Sequence, residues 1–276
     1  MTFAAAVVVY NMFCGDSPTC KALEKLAQSS LLVLIYDNST KDFGNRAYCA
    51  EQGWVYLGGT GNAGISKAYN ACINYLTDGS KVDMLCLFDD DTHIDPTYFT
   101  MLEQAGKDAK ENIFVPLIFA NNTLISPCVL DNRHHVTLFS NEQAALNYSA
   151  NELSAINSCM ALRLSLFSHW RYDENVFLDG VDHNFILEMR QKGEPIRVFP
   201  YRCDHAFSGV EKPSLKSALV RFRIYAKDYN YILRDNKLAY LRLVGKRALR
   251  LTVQYRTLAF IKSFFNVQTE KRKEAL

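Results

Sequence analysis

Five unbroken apolar runs of strand length, each followed by a turn or a helical segment, occupy the first 120 residues. They are Ala4–Tyr10, Leu31–Tyr36, Trp54–Leu57, Met84–Phe88 and Ile113–Phe119. None alternates polar with apolar residues, which is the pattern of strands covered on both faces. The intervening segments read as helices. Ser17-Pro18 places an N-cap before a proline at the first helical position and opens a helix to about Ser30. A short helix is expected at 44–52. After Gly64, residues Ile65, Ala68, Tyr69, Cys72, Ile73 and Leu76 share one helical face, and Asp95-Pro96 opens the next helix. This alternation predicts an α/β fold, an open and mostly parallel sheet flanked by helices. In such sheets ligands bind beyond the carboxyl ends of the strands.

The polar residues of this half sit at those ends. Asn11 follows the first run, Asp37-Asn38-Ser39 the second, Gly58–Gly64 the third and Asp89-Asp90-Asp91 the fourth. Three adjacent carboxylates repel one another unless a cation lies among them. Mg²⁺ or Mn²⁺, which keeps positions free for phosphate oxygens, suits such a cluster, as does a solvated acidic loop. Asp37 reads either as an acceptor for a nucleobase or ribose or as an Asx turn closing its strand. The glycine-rich segment precedes a helix, so its backbone and the helix N-terminus could meet a diphosphate. It is neither a Walker sequence nor G-x-G-x-x-G.

From 120 to 212 the pattern is less regular, with short strands and a helix expected at 181–192. Asp179 and Asp182 precede or open that helix, as a general base with a supporting carboxylate or as charges favoured at a helix N-terminus. His205 is a metal ligand or a structural histidine, and His134-His135 reads as a surface pair. The eight cysteines are scattered without a C-x-x-C pair, the usage of buried reduced thiols rather than disulfides or a zinc site. No apolar run approaches the ~20 residues of a membrane span, and the N-terminal run reads as a strand rather than a leader. A cytoplasmic location is expected.

Charge divides the chain unevenly. Residues 1–212 hold 16 Lys and Arg against 25 Asp and Glu, and residues 213–276 hold 15 against 4. The basic tail mixes its cations with Leu, Tyr, Phe and Ile. On a helical projection Leu241, Val244, Ala248, Leu251, Tyr255 and Leu258 share one face, Arg242, Lys246 and Arg250 another, and Leu243, Leu249 and Val253 intrude on the basic side. Such a helix fits peripheral attachment to an anionic membrane surface or packing on the body with a solvated basic face. No nucleic-acid module accompanies the charge, so no nucleic-acid partner is expected.

Taken in order, these segments resemble family 2 glycosyltransferases. Val7-Val8-Val9-Tyr10-Asn11, Asp37-Asn38-Ser39 and Gly61-Asn62-Ala63-Gly64-Ile65-Ser66-Lys67 are similar to the nucleotide-binding half of that family, and Phe88-Asp89-Asp90-Asp91-Thr92 to its DxD element. The bacterial rhamnosyltransferase-like branch, with F-D-Q-D-S there, matches best. Asn157-Ser158-Cys159, Tyr172-Asp173-Glu174 and Phe177-Leu178-Asp179-Gly180-Val181-Asp182 resemble that branch's "SG…FDE…LFIDYVD" run, and Gly193 through Pro200 to His205 completes a likeness over residues 4–210.

The resemblance implies a GT-A catalytic domain over 1–212, divided into a nucleotide-binding half (1–119) and an acceptor half (120–212), with a helical extension at 213–276. It implies inverting transfer from a nucleoside-diphosphate sugar, dTDP-rhamnose or a UDP-linked hexose or galactofuranose. The acceptor would be a glycan or a polyprenyl-diphosphate-linked glycan of bacterial surface polysaccharide synthesis, met at the inner face of the cell membrane. Tyr10, Asn11, Asp37, Asn38, Gly61, Asn62, Gly64, Lys67, Asp89 and Asp90 would bind the donor, with Asp37 at the nucleobase. Asp91 and His205, with Asp89, would hold Mn²⁺ or Mg²⁺. Asp182 would be the base and Asp179 its support. Two positions depart from the branch: Asn184 stands where Glu or Asp is usual, and Asp90 where Gln is. A sugar-nucleotide pyrophosphorylase is disfavoured because Tyr10–Gly15 lacks the glycine- and arginine-rich loop of those enzymes. A non-catalytic glycan-binding protein would have no need of Asp89, Asp91, Asp182 and His205 together.

Overall fold

The computed structural model describes residues 1–276 except 27–30, 60, 132–133, 150, 205–212, 275–276 and the side chains of 268–274. The five apolar runs are strands β1 (Phe3–Val9), β2 (Leu31–Asp37), β3 (Val55–Gly58), β4 (Met84–Asp89) and β5 (Ile113–Ala120). Helices α1 (Pro18–Leu26), α2 (Asn45–Gln52), α3 (Ile65–Thr77) and α4 (Thr97–Gly106) lie between them. The last turn expected of α1, to Ser30, falls mostly outside the described residues. Beyond β5 come β6 (Thr123–Ser126), β7 (Cys128–Leu130), β8 (Val136–Leu138), the short α5 (Glu142–Leu146), β9 (Leu153–Ser154), β10 (Ala161–Arg163), α6 (Val181–Gln191) and β11 (Ile196–Asp204).

The main sheet runs β11-β5-β10-β4-β1-β2-β3, with β6 folded back on β5, and a second sheet runs β8-β7-β9. Strands β1 to β4 are mutually parallel, β11 is parallel to β5, and β10 lies antiparallel between β4 and β5. The sheet is therefore mixed. Side chains of β1 alternate between two dry layers, as the period of a strand requires. Ala4, Ala6 and Val8 join the side of Ala68, Tyr69, Ile73, Phe185 and Ile186, from α3 and α6. Ala5, Val7 and Val9 join Cys20, Leu23, Cys49, Tyr98 and Leu102, from α1, α2 and α4. Burial on both faces is why these strands read as continuous apolar runs.

The basic tail folds into α7 (Leu215–Ile232), α8 (Lys237–Tyr240), a π-helical turn over Leu241–Gly245, α9 (Lys246–Tyr255) and α10 (Ala259–Glu274). Ser214 caps α7, accepting from the Ser217 N–H at 3.2 Å. These helices share an apolar cluster of Phe222, Tyr225, Tyr240, Val244, Phe260 and Phe264. Of the apolar helical face, Val244 and Ala248 are buried and Leu251 half-buried in this cluster, while Leu241 and Leu258 stay exposed. Leu249 and Val253, which interrupt the basic stripe on the projection, are 59% and 77% exposed, next to exposed Arg242, Lys246 and Arg250. The chain had an apolar face to bury and a nearby core to bury it in, so the outward face is the mixed one. Among the described residues no helix is long and apolar enough to cross a membrane.

Candidate active site

Strand register brings the acidic residues to one edge. Val8 pairs with Asp89 and Val9 with Asp37, so the ends of β2 and β4 flank the end of β1. The turn after β4 is braced from the start of α1. The Ser17 hydroxyl donates to the Asp90 carbonyl and accepts from the Cys20 N–H at 3.1 Å, so the expected N-cap also holds the acidic turn. The Thr19 hydroxyl lies 2.6 Å from the Asp89 carbonyl oxygen and accepts from the Thr92 N–H at 2.9 Å. The Asp90 carboxylate accepts from the Tyr10 N–H at 3.2 Å. Burial pushes the Asp90 carboxyl up to about 6; the Tyr10 N–H opposes that rise, and the charges of Asp91 and Asp89 add to it.

Three hollows follow this edge. An open cleft of ≈ 920 Å³ is lined by Asp89, Asp90 and Asp91, by Tyr10, Asn38, Asn62 and Gly64, and by Lys216, Arg221 and Arg247 of α7 and α9. A hollow of ≈ 470 Å³ holds Asp37, Arg46, Tyr56 and Gly61. A pocket of ≈ 120 Å³ holds Asp89, Tyr69, Asn157, Ser158 and Asp182. Asp89 lines both the cleft and the small pocket.

Asp37 is buried and forms the Asx turn that closes its strand. Its Oδ1 accepts from the Ser39 N–H at 3.0 Å, an Asx turn, while its Oδ2 accepts from Asn45 Nδ2 and the Tyr56 hydroxyl, each at 3.1 Å, on the wall of the 470 Å³ hollow. The glycine-rich segment spends three of its amides inside the protein. The Ala63 N–H donates to Asn38 Oδ1 at 2.7 Å, the Gly64 N–H to Asn62 Oδ1 at 3.1 Å and the Ile65 N–H to the Phe177 carbonyl at 2.7 Å. These three amides are used inside the protein, while Asn62 and Gly64 line the cleft. Gly64 sits at φ +87°, and a Cβ there would lie 2.7 Å from the Phe177 carbonyl oxygen. Only glycine admits so close an approach of loop 177 to the start of α3. Asn11, at φ 52°, ties the end of β1 to the Thr40 backbone and hydroxyl through its Oδ1, both at 2.9 Å, and is absent from the cleft wall. Lys67 is exposed on α3 and likewise absent from that wall.

Asp182 lies in the first turn of α6, with its Oδ1 accepting from the His183 N–H at 2.8 Å. Tyr69, which the sequence places on an apolar helical face, stands near both acids of the small pocket. Burial foremost, then the Asp89 and Asp182 charges, hold its hydroxyl well above the usual phenol range. Asn157 is 7% exposed, and its Oδ1 has no hydrogen-bond partner. Asp179, expected to support Asp182, is engaged elsewhere: the Arg221 guanidinium of α7 grips its carboxylate through two hydrogen bonds. Asp228, also on α7, is 2% exposed and accepts the consecutive N–H groups of Phe177, Leu178 and Asp179 at 2.9, 2.9 and 2.8 Å. Burial raises its carboxyl, and those three N–H donors work against the rise. Sequence reasoning missed Asp228. The available signal was a single acid on the inward face of a helix otherwise rich in Lys and Arg.

Among the described residues no three His, Cys, Asp or Glu side chains converge into a cation-binding group, and His205 lies outside them. The site nevertheless fits a cation that keeps its own waters and shares phosphate oxygens, because such an ion needs only one or two carboxylates. Asp89 and Asp91 on the cleft wall would supply them.

No protein-family model matches the sequence, and no curated protein matches it. Solved structures match its fold. GalNAc-T7 with UDP, GalNAc and Mn²⁺ superposes with a TM-score of 0.58 at 14% identity, over 89% of this chain and 54% of that one. S. aureus TarS 1-349 in complex with UDP-GlcNAc gives 0.55 at 14% identity, over 97% and 79%. Glucosyl-3-phosphoglycerate synthase from Mycobacterium tuberculosis, with Mn²⁺, UDP and glucosyl-3-phosphoglycerate, gives 0.55 at 10%, over 83% and 79%. Against a longer TarS structure the chain spans 40% of that protein. The fold is GT-A. At these identities the likeness is one of architecture, and it extends into the helices after 213 in TarS 1-349, where 99% of this chain is covered.

Proposed function

We propose that this chain is a metal-dependent inverting glycosyltransferase using a nucleoside-diphosphate sugar. One observation carries the reading: Asp89 is shared by the cleft that bears Asp90 and Asp91 and by the pocket that bears Asp182. A donor held by its diphosphate in the cleft would present its anomeric carbon toward a carboxylate able to take a proton from an acceptor hydroxyl. In this reading Asp37 and Tyr56 receive the nucleobase. Asp89 and Asp91, with His205, hold the divalent cation, which when bound neutralises charge on the departing diphosphate. Lys216 and Arg247 add positive charge to the cleft lining, which gives the basic tail a use inside the site. The nucleotides and Mn²⁺ named with the similar structures support the reading.

Within this class the ordered motifs favour the rhamnosyltransferase-like branch of family 2, with dTDP-rhamnose or a UDP-linked hexose or galactofuranose as donor. A panel of nucleotide sugars screened by thermal shift with Mn²⁺ tests the assignment. The cognate donor is expected to raise Tm by several degrees, since a ligand at about 100 times its Kd contributes about 2.7 kcal/mol. A panel that leaves Tm unmoved removes the donor-site reading.

A lipid-linked glycan acceptor fits the outward face of the π-helical turn and α9, where Leu249 and Val253 stand among Arg242, Lys246 and Arg250. Each such cation contributes about 1 kcal/mol at an anionic membrane surface, and the exposed apolar residues add insertion. The protein is expected to co-sediment with anionic vesicles. Leu249→Glu combined with Val253→Glu should abolish that binding with the thermal unfolding temperature preserved; undiminished sedimentation refutes the membrane face.

A further inference from the structure

We infer that Asp228 and Arg221 are positioning residues for the sugar-transfer step, so that helix α7 is part of the catalytic unit rather than an appendage to it. The inference rests on the reading of Asp182 as the base. The segment 177–179 has no regular secondary structure, and it leads directly into Gly180 and the first turn of α6, which carries Asp182. Its backbone N–H groups find no strand or helix partner. A single buried carboxylate from a distant part of the chain receives three of them in succession.

A carboxylate accepting consecutive amides fixes both the height and the rotation of the peptide planes it binds, because each acceptor lone pair sets one donor direction. Arg221 grips the neighbouring Asp179 side chain from the same helix, roughly two turns before Asp228. On the other side of the segment, the Phe177 carbonyl accepts the Ile65 N–H. The peptide that delivers Asp182 is thereby held between α3, on the donor side, and α7. The backbone at Gly180 has φ +77°, and a Cβ there would meet Ile232 and Tyr229 of α7 at 3.0 and 3.2 Å. The loop thus fits against α7 closely as well as bonding to it.

Misplacement of a reacting group by about 1 Å costs on the order of 10²-fold in rate. Asp228→Ala is therefore expected to lower kcat by about 10²-fold with the donor KM and the UDP–Mn²⁺ affinity unchanged. Hydrogen exchange should accelerate at the amides of 177–179 while the α3 and β1 amides stay protected. Asp228→Asn, which keeps one acceptor oxygen, should fall between Ala and wild type in both readouts, and Arg221→Gln should lower kcat less than Asp228→Ala. Turnover is read as nucleoside diphosphate released from the donor that the panel identifies. If Asp228→Ala does not fold, the Asn and Gln variants carry the test. Faster exchange at 177–179 with kcat retained overturns the inference, as does a parallel rise in KM with no loss of kcat. Retained activity in Asp182→Asn would instead sink the assignment of the base, independently of the clamp.

Discussion

Asp182→Asn is expected to remove sugar transfer almost completely, by about 10²–10⁴-fold in kcat, the usual contribution of a general base. Nucleotide binding should survive. The substitution preserves shape and the hydrogen bond that Asp182 Oδ1 accepts from the His183 N–H, because an amide oxygen can take the same bond. It removes only the capacity to take a proton. Asp182 lines the small pocket with Tyr69 and Asn157 and is absent from the hollow of Asp37 and Tyr56, so the nucleobase end is untouched. Calorimetry with UDP and Mn²⁺, beside a turnover assay, separates the two effects. Loss of both binding and turnover would make Asp182 a structural residue of α6.

Chelation should have an effect of similar size. With EDTA, turnover is expected to stop, and Mn²⁺ or Mg²⁺ should restore it. The physical ground is the charge already present: the acid turn holds three carboxylates on the wall of one cleft, and burial with mutual repulsion lifts Asp90 to about 6. A diphosphate would bring further negative charge into that cleft, and Lys216 and Arg247 of its lining do not balance it alone. Asp89→Ala and Asp91→Ala should each weaken Mn²⁺ binding to the UDP complex, measured by calorimetry. Activity that persists through chelation would mean the acid turn serves something other than a cation.

Much of the site was legible because it lies where short-range rules apply. Asp37 and Asp89 end strands whose apolar runs are unmistakable, and parallel register brings such ends to one edge. Ser17 carried a capping signature, and its cap bond is present. The glycine segment was legible as a break, but which of its amides are spent inside the protein was not, because that depends on Asn38, Asn62 and Phe177, and Phe177 lies more than 100 positions away. Asp179 looked like a partner of Asp182 by proximity in sequence, yet a residue on α7 claims it. Sequence spacing carries no record of such a contact.

The tail shows the same division most clearly. Its helical period, its basic charge and the interruption of its basic stripe by Leu249 and Val253 were all present in the linear order. Which stripe faces outward was not, because a helix with two partly apolar faces buries whichever one finds a neighbour, and Phe222, Phe260 and Phe264 provided it. By itself the order of residues determined the alternating α/β architecture and the edge where the acids gather, since both follow from local period and polarity. The tertiary structure alone decided that α7 reaches back to hold the loop before Asp182, because that contact joins segments about 50 residues apart through one buried carboxylate.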